Sequence, residues 1–175
     1  MKIINNIALF FILLNNPAVC QNKQDKIDIC NKKVALTNLE TVQRNAKEII
    51  TTSNDDCVLG LLDTLTILFI KTQQTKYIKT LDAICQIKDG YVGEYFWEIT
   101  EKLVFQSFGS FIEYLSLQKE SSCFEKDLLE IMKWELKDGT NPRKEKLIKL
   151  IDEKFKSEKN QKTKNYLINL RKKFT

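Results

Sequence analysis

Five cysteines and not one histidine bound the chemistry open to this 175-residue chain. Without histidine, Ser-His-Asp and Cys-His nucleophilic catalysis, imidazole general-base chemistry and histidine metal sites are excluded. Neither G-x-x-x-x-G-K-S/T nor G-x-G-x-x-G occurs, so nothing marks a phosphate-cradling loop. Ser116-Leu117-Gln118-Lys119 spells S-x-x-K, the acylating motif of penicillin-recognising enzymes. Its partner motifs S-D-N and K-T-G are missing, so the match is read as chance. No catalytic residue, metal ligand or cofactor is predicted.

The cysteines point to disulfides. Cys20 falls in an export signal and leaves the pairing pool. Cys30, Cys57, Cys85 and Cys123 remain, an even number that fits two bridges in an exported chain. No C-x-x-C pair is present, which argues against zinc. Buried free thiols are the competing reading, because cysteine packs well as a small hydrophobe. If successive helices alternate in direction, Cys57, Cys85 and Cys123 fall near one end of a helical stack. That favours Cys30–Cys57 with Cys85–Cys123. Cys57–Cys85, across one hairpin, is almost as good.

Carboxylates are the remaining route to acid–base chemistry. Glu94, Glu98 and Glu101 share one helix face. Glycosidase-type catalysis needs one carboxyl desolvated and a second across a cleft, and spacing alone supplies neither. The plainer reading is a solvated stripe. The neighbouring run Asp89-Gly90-Tyr91-Val92-Gly93-Glu94-Tyr95-Phe96-Trp97 is the most aromatic in the chain. Tyr and Trp combine large apolar area with a polar handle and suit both cores and interfaces. Asp89, Tyr91, Glu94, Tyr95 and Trp97 are therefore the candidate binding residues.

These groups need elements to position them, and the first element is a leader. Lys2, the apolar run Ile7–Leu14, the helix breaker Pro17 and the small residues around Ala18-Val19-Cys20 read as a signal peptide over 1–20. The run is too short for a transmembrane helix, which needs about 20 apolar residues. Export to a periplasm or the extracellular space follows. An alternative makes Cys20 the lipidated first residue of a lipoprotein.

After a polar lead-in over 21–36, residues 37–175 read as a single helical domain. Only two prolines and five glycines interrupt the chain, which favours long helices over sheets with many tight turns. Thr37 and Glu40 match a capping box, as do Ser122 and Glu125. Leu39, Val42, Ala46 and Ile49 follow helical spacing, and Val58–Ile70 is apolar nearly all round, which marks a central helix. Gly90 is expected to stop the helix begun at Thr75. Phe108-Gly109-Ser110-Phe111 reads as a link, and Asn141-Pro142 as a helix start. The fold class is all-α, about eight antiparallel helices stacked as hairpins, in a bundle or a short HEAT-like solenoid. No fixed repeat period runs through the chain.

Charge is uneven. Residues 21–132 carry 13 Lys/Arg against 17 Asp/Glu, and residues 133–175 carry 14 against 6. The helices from about 142 are thus basic. Glu145–Lys149, Asp152–Lys156 and Glu158–Lys162 have the i,i+4 spacing of an ordinary solvated helix. Export makes nucleic acid an unsuitable partner. The function expected is a non-catalytic protein-binding module, of inhibitor or immunity type, acting on another exported or envelope protein. The alternatives are a lipid-anchored envelope structural factor and a carboxylate-dependent hydrolase. Membrane contact is expected only through a lipidated Cys20 or an anionic surface met by the basic helices.

Overall fold

A computed structural model describes residues 27–88, 90–119, 122–137 and 142–173. The expected signal peptide over 1–20, Cys20 and residues 21–26 of the polar lead-in lie outside the described residues. Among those described, every regular element is helical. There are ten helices, eight of them of seven residues or more. No described helix is long and apolar enough to cross a membrane.

Three short helices open the fold: α1 (Lys32–Thr37), α2 (Leu39–Arg44) and α3 (Ala46–Thr52). The predicted Thr37–Glu40 capping box is not formed. Thr37 ends α1, and its hydroxyl donates back to the carbonyls of Lys33 and Val34, each at 3.0 Å. The helix starts earlier because Asn31 caps it, accepting the Val34 N–H at 3.3 Å. Ile29 and Ala35 are buried, so the polar lead-in already belongs to the core at its end. The predicted stripe of Leu39, Val42, Ala46 and Ile49 is buried as expected, although Asn45 breaks it into two helices.

The long helix α4 (Asp55–Thr72) is central. Asn54 caps it through the Asp56 N–H at 2.8 Å, and Asp55 and Asp56 sit in the first turn, where carboxylates oppose the helix dipole. Val58, Leu61, Leu62, Leu65 and Phe69 are fully buried. Gln73, in the left-handed region at φ 57°, turns the chain into α5 (Thr75–Cys85), which packs back along α4. Gly90 takes the positive φ expected of it, 43°, but at the start of α6 (Gly90–Gln106). α5 has already stopped at Cys85, in a turn closed by Ile87 N–H to Ile84 and Lys88 N–H to Cys85. The bridge from Cys85 and the inward turn of Lys88 end the helix sooner than the glycine does.

Ser107 alone separates α6 from α7 (Phe108–Leu117). The predicted link Phe108–Phe111 is thus helical, because Phe108 and Phe111 are both buried and draw the segment into a helix. Then come α8 (Cys123–Lys137), α9 (Pro142–Ser157) and α10 (Gln161–Lys172). Ser122 caps α8 as expected, its hydroxyl oxygen accepting the Phe124 N–H at 3.1 Å. Asn141 lies outside the described residues. Packing runs α4 on α6 on α8, and α2 on α5 on α8, with α10 against α7 and α9. At the centre Phe124 meets Phe96 and Phe111 edge-on, with centroids 5.7 Å and 5.8 Å apart.

Candidate binding face

Both favoured disulfides are formed, Cys30–Cys57 and Cys85–Cys123. The first ties α1 to the start of α4. The second joins the last residue of α5 to the first of α8 and is buried at both ends. Asp127 lies one turn along α8, its carboxylate 4.0 Å from Cys85 Sγ and in an ion pair with Lys88 at 2.6 Å. Cys85, Cys123 and Asp127 group closely enough to resemble metal ligands. With both sulfurs bonded to each other no thiolate is present, and the thiolate is the species that binds metal.

Beside this bridge lies a polar cluster that sequence spacing did not reveal. Asp82, 9% exposed, accepts from the Tyr114 hydroxyl at 2.8 Å, the Ser122 hydroxyl at 2.8 Å and the Cys123 backbone N–H at 3.1 Å. Its carboxylate therefore sits against the N-terminus of α8, where the exposed N–H groups and helix dipole favour negative charge. The cluster pins α5, α7 and α8 together. Burial, then the Asp82 charge, holds the Tyr114 phenol well above its ordinary value. The available signal was an acid at position 82 within the apolar line Ile78, Leu81 and Cys85, because a carboxylate on a core face needs partners. All donors here are spoken for, so the cluster is structural.

Of the candidate binding residues, Asp89 lies outside the described residues. Tyr91 and Glu94 are exposed on α6. Tyr95 is half-buried beside Asp63 of α4; burial first, then Asp63, raises its phenol. Trp97 is half-buried at the edge of the core stripe, away from Tyr91 and Tyr95 by helical rotation. The structure thus places Tyr91, Glu94 and Tyr95 along one outer strip of α6 and turns Trp97 aside.

That strip leads into a groove. Glu98, Glu101, Lys102, Phe105 and Gln106 of α6 face Arg143 and Lys146 of α9 around a cavity of about 530 Å³. Arg143 pairs with Glu101. Its guanidinium carbon stands 5.4 Å from the Phe105 ring centroid, and Lys146 Nζ stands 5.0 Å from it. Two cations over one aromatic face form a cation–π cluster on the groove wall. Lys102 bridges the groove to the aromatic strip, 3.7 Å from Asp63 and 5.7 Å from the Tyr95 ring centre. Glu101 is thus engaged by arginine and Glu98 is exposed, and neither sits in the apolar surroundings a catalytic acid requires. Sequence reading found the acidic stripe but not the groove. Its far wall comes from α9, some forty residues away, and only tertiary packing joins the two.

Ser116 of the S-x-x-K match donates to the Glu113 carbonyl and lies 2.8 Å from the Thr163 hydroxyl, tying α7 to α10. Lys119 is exposed beyond the end of that helix. Among the described residues, no carboxylate or amine is hydrogen-bonded to this serine.

Fold and site define an all-helical, two-disulfide domain with a charged, aromatic-walled groove. No family model, curated protein or solved structure matches the chain.

Proposed function

We propose that the protein is an exported, non-catalytic binding module whose working face is the α6–α9 groove together with the Tyr91–Tyr95 strip. The observation that carries this reading is the groove wall itself, where Arg143 and Lys146 converge on Phe105 beside Glu98, Glu101 and Gln106. Arginine and aromatic side chains dominate the energetics of protein interfaces. Donors and acceptors of both signs within one cavity suit a peptide segment better than a small apolar ligand. Two disulfides support an oxidising compartment, in keeping with the leader at 1–20. They also cross-link the α1 end to α4 and α5 to α8, and α4 and α8 are helices against which the groove helices pack, so the groove rests on a cross-linked frame that lowers the cost of ordering on binding. The partner is another exported or envelope protein, and inhibition or immunity is the role such a module would play.

The test uses residues 21–175, which contain every described helix and both bridges. Affinity capture from the cell envelope is run with this protein and with the double variant Phe105→Ala, Arg143→Glu. The reading expects one protein to be enriched by the first and lost by the second. A partner retained equally by both would move the binding face elsewhere on the molecule.

A further inference from the structure

We propose that the outer face of the α9–α10 hairpin docks on an anionic lipid surface. This face is separate from the groove. Arg143 and Lys146 flank the buried stripe of α9 on one side, and Asp152, Phe155 and Lys156 flank it on the other.

Two cross-links fix which side chains share the face. Lys164 Nζ of α10 lies 5.9 Å from the centre of the Phe155 ring of α9, and Arg171 of α10 pairs with Asp152 of α9 at 3.2 Å. Asp152 and Phe155 are one turn apart. Lys164, Ile168 and Arg171 follow at spacings of four and three, so all five line one side of the hairpin. Phe155 and Ile168 are each 39% exposed there. Neither is needed to close the core, whose contribution from these helices is Leu147, Ile151, Leu167 and Leu170.

The charge around this apolar pair is predominantly positive. Residues 159–175 carry six Lys/Arg and no carboxylate side chain. The acids of α9 and the link after it are largely engaged. Glu153 pairs with Lys149 at 3.8 Å and Asp152 with Arg171. Glu158 pairs with Lys154 at 2.8 Å and also accepts the N–H groups of Lys159 and Asn160. Among the described residues Lys156, Lys159, Lys162 and Lys164 have no carboxylate partner. Half-exposed Phe and Ile rimmed by lysines is the arrangement by which a helix lies in a headgroup layer. The apolar side chains enter the acyl boundary and the long lysine stems reach the phosphates. A nucleic acid would satisfy the lysines but leave Ile168 facing a polyanion, so lipid fits both features.

The experiment is co-sedimentation of the 21–175 protein with vesicles of phosphatidylglycerol in phosphatidylcholine, against pure phosphatidylcholine, at rising salt. Binding should require phosphatidylglycerol and weaken with salt. The triple variant Lys156→Gln, Lys159→Gln, Lys164→Gln should bind about a hundredfold more weakly, at about fivefold per lysine. Phe155→Ser with Ile168→Ser should lose about tenfold. The matched control Lys71→Gln, Lys76→Gln, Lys79→Gln, on α4 and α5, should lose less than about threefold. Circular dichroism of each variant reports whether it folds. Equal losses in control and triple variant would mean that net charge alone is read, and would overturn the proposal. So would equal binding to the two vesicle types. Binding of duplex DNA or an acidic protein with the same lysine dependence, but without effect of Phe155 and Ile168, would assign the face to a polyanion instead.

Discussion

The Tyr114 hydroxyl donates to the Asp82 carboxylate across 2.8 Å, and that bond joins α7 to α5 beneath the buried Cys85–Cys123 bridge. Ser122 and the Cys123 N–H supply the other two donors. Asp82→Ala strips three buried donors of their acceptor at once. It should cost about 3–5 kcal/mol in urea unfolding, whereas Tyr114→Phe should cost about 1–2 kcal/mol. Equal costs for the two would mean that the carboxylate is solvated and the cluster loose.

The buried phenols make stability fall in alkali. Burial, followed by the facing carboxylates, raises the folded-state values of Tyr114, Tyr166 and Tyr95 above the ordinary 10.0. A phenol is neutral when protonated, so a raised folded value means that the fold holds its proton more tightly than the unfolded chain does. The contribution is fully present below pH 10 and is lost above it, as the unfolded ensemble releases protons first. Unfolding free energy should therefore decline above about pH 10, and Tyr114→Phe should make that decline shallower. With Tyr77→Phe and Tyr91→Phe in place, phenolate absorbance rising well before the helical signal is lost would contradict the burial of these rings.

The two bridges should differ in access more than in their effect on stability. They close loops of similar length, with separations of 27 and 38 residues, and loop entropy makes each worth about 3–4 kcal/mol. Cys30 is exposed and Cys57 half-buried, but Cys85 and Cys123 are 1% and 5% exposed. Under limiting dithiol, alkylation mapped by mass spectrometry should label Cys30 and Cys57 first. Simultaneous labelling of all four would mean that the Cys85–Cys123 region opens as readily as the N-terminal helices.

Phe124 sits edge-on to both Phe96 and Phe111 and is fully buried. Phe124→Ala should destabilise by about 3–5 kcal/mol, close to the limit a small domain tolerates. Phe155→Ala, at a half-exposed position on the hairpin, should cost under about 1 kcal/mol in the same assay.

The helical class and the central α4 were legible in the sequence, because apolar spacing and caps act locally; the even cysteine count announced two bridges, but the sequence favoured the observed pairing only narrowly over one with Cys57–Cys85. Ser122 caps the helix its type announced. Where the reading slipped, a tertiary contact outweighed a local signal. Thr37 lost its cap role because it closes α1, a separate short helix capped by Asn31, and α2 begins after Asn38. Gly90 yielded the end of α5 to the Cys85 bridge. Asp82 and the groove were invisible for the same reason, since their partners lie some thirty to forty residues away in sequence.

The most direct test of the binding face is photo-crosslinking in living cells of the full-length chain, residues 1–175, with a benzophenone amino acid at Gln106 in the groove or at Gln73 in the α4–α5 turn. The account predicts one discrete adduct from position 106, none from 73, and loss of the first when Arg143→Glu is added. A discrete adduct from 73 with none from 106, or an adduct at 106 indifferent to Arg143→Glu, would contradict it.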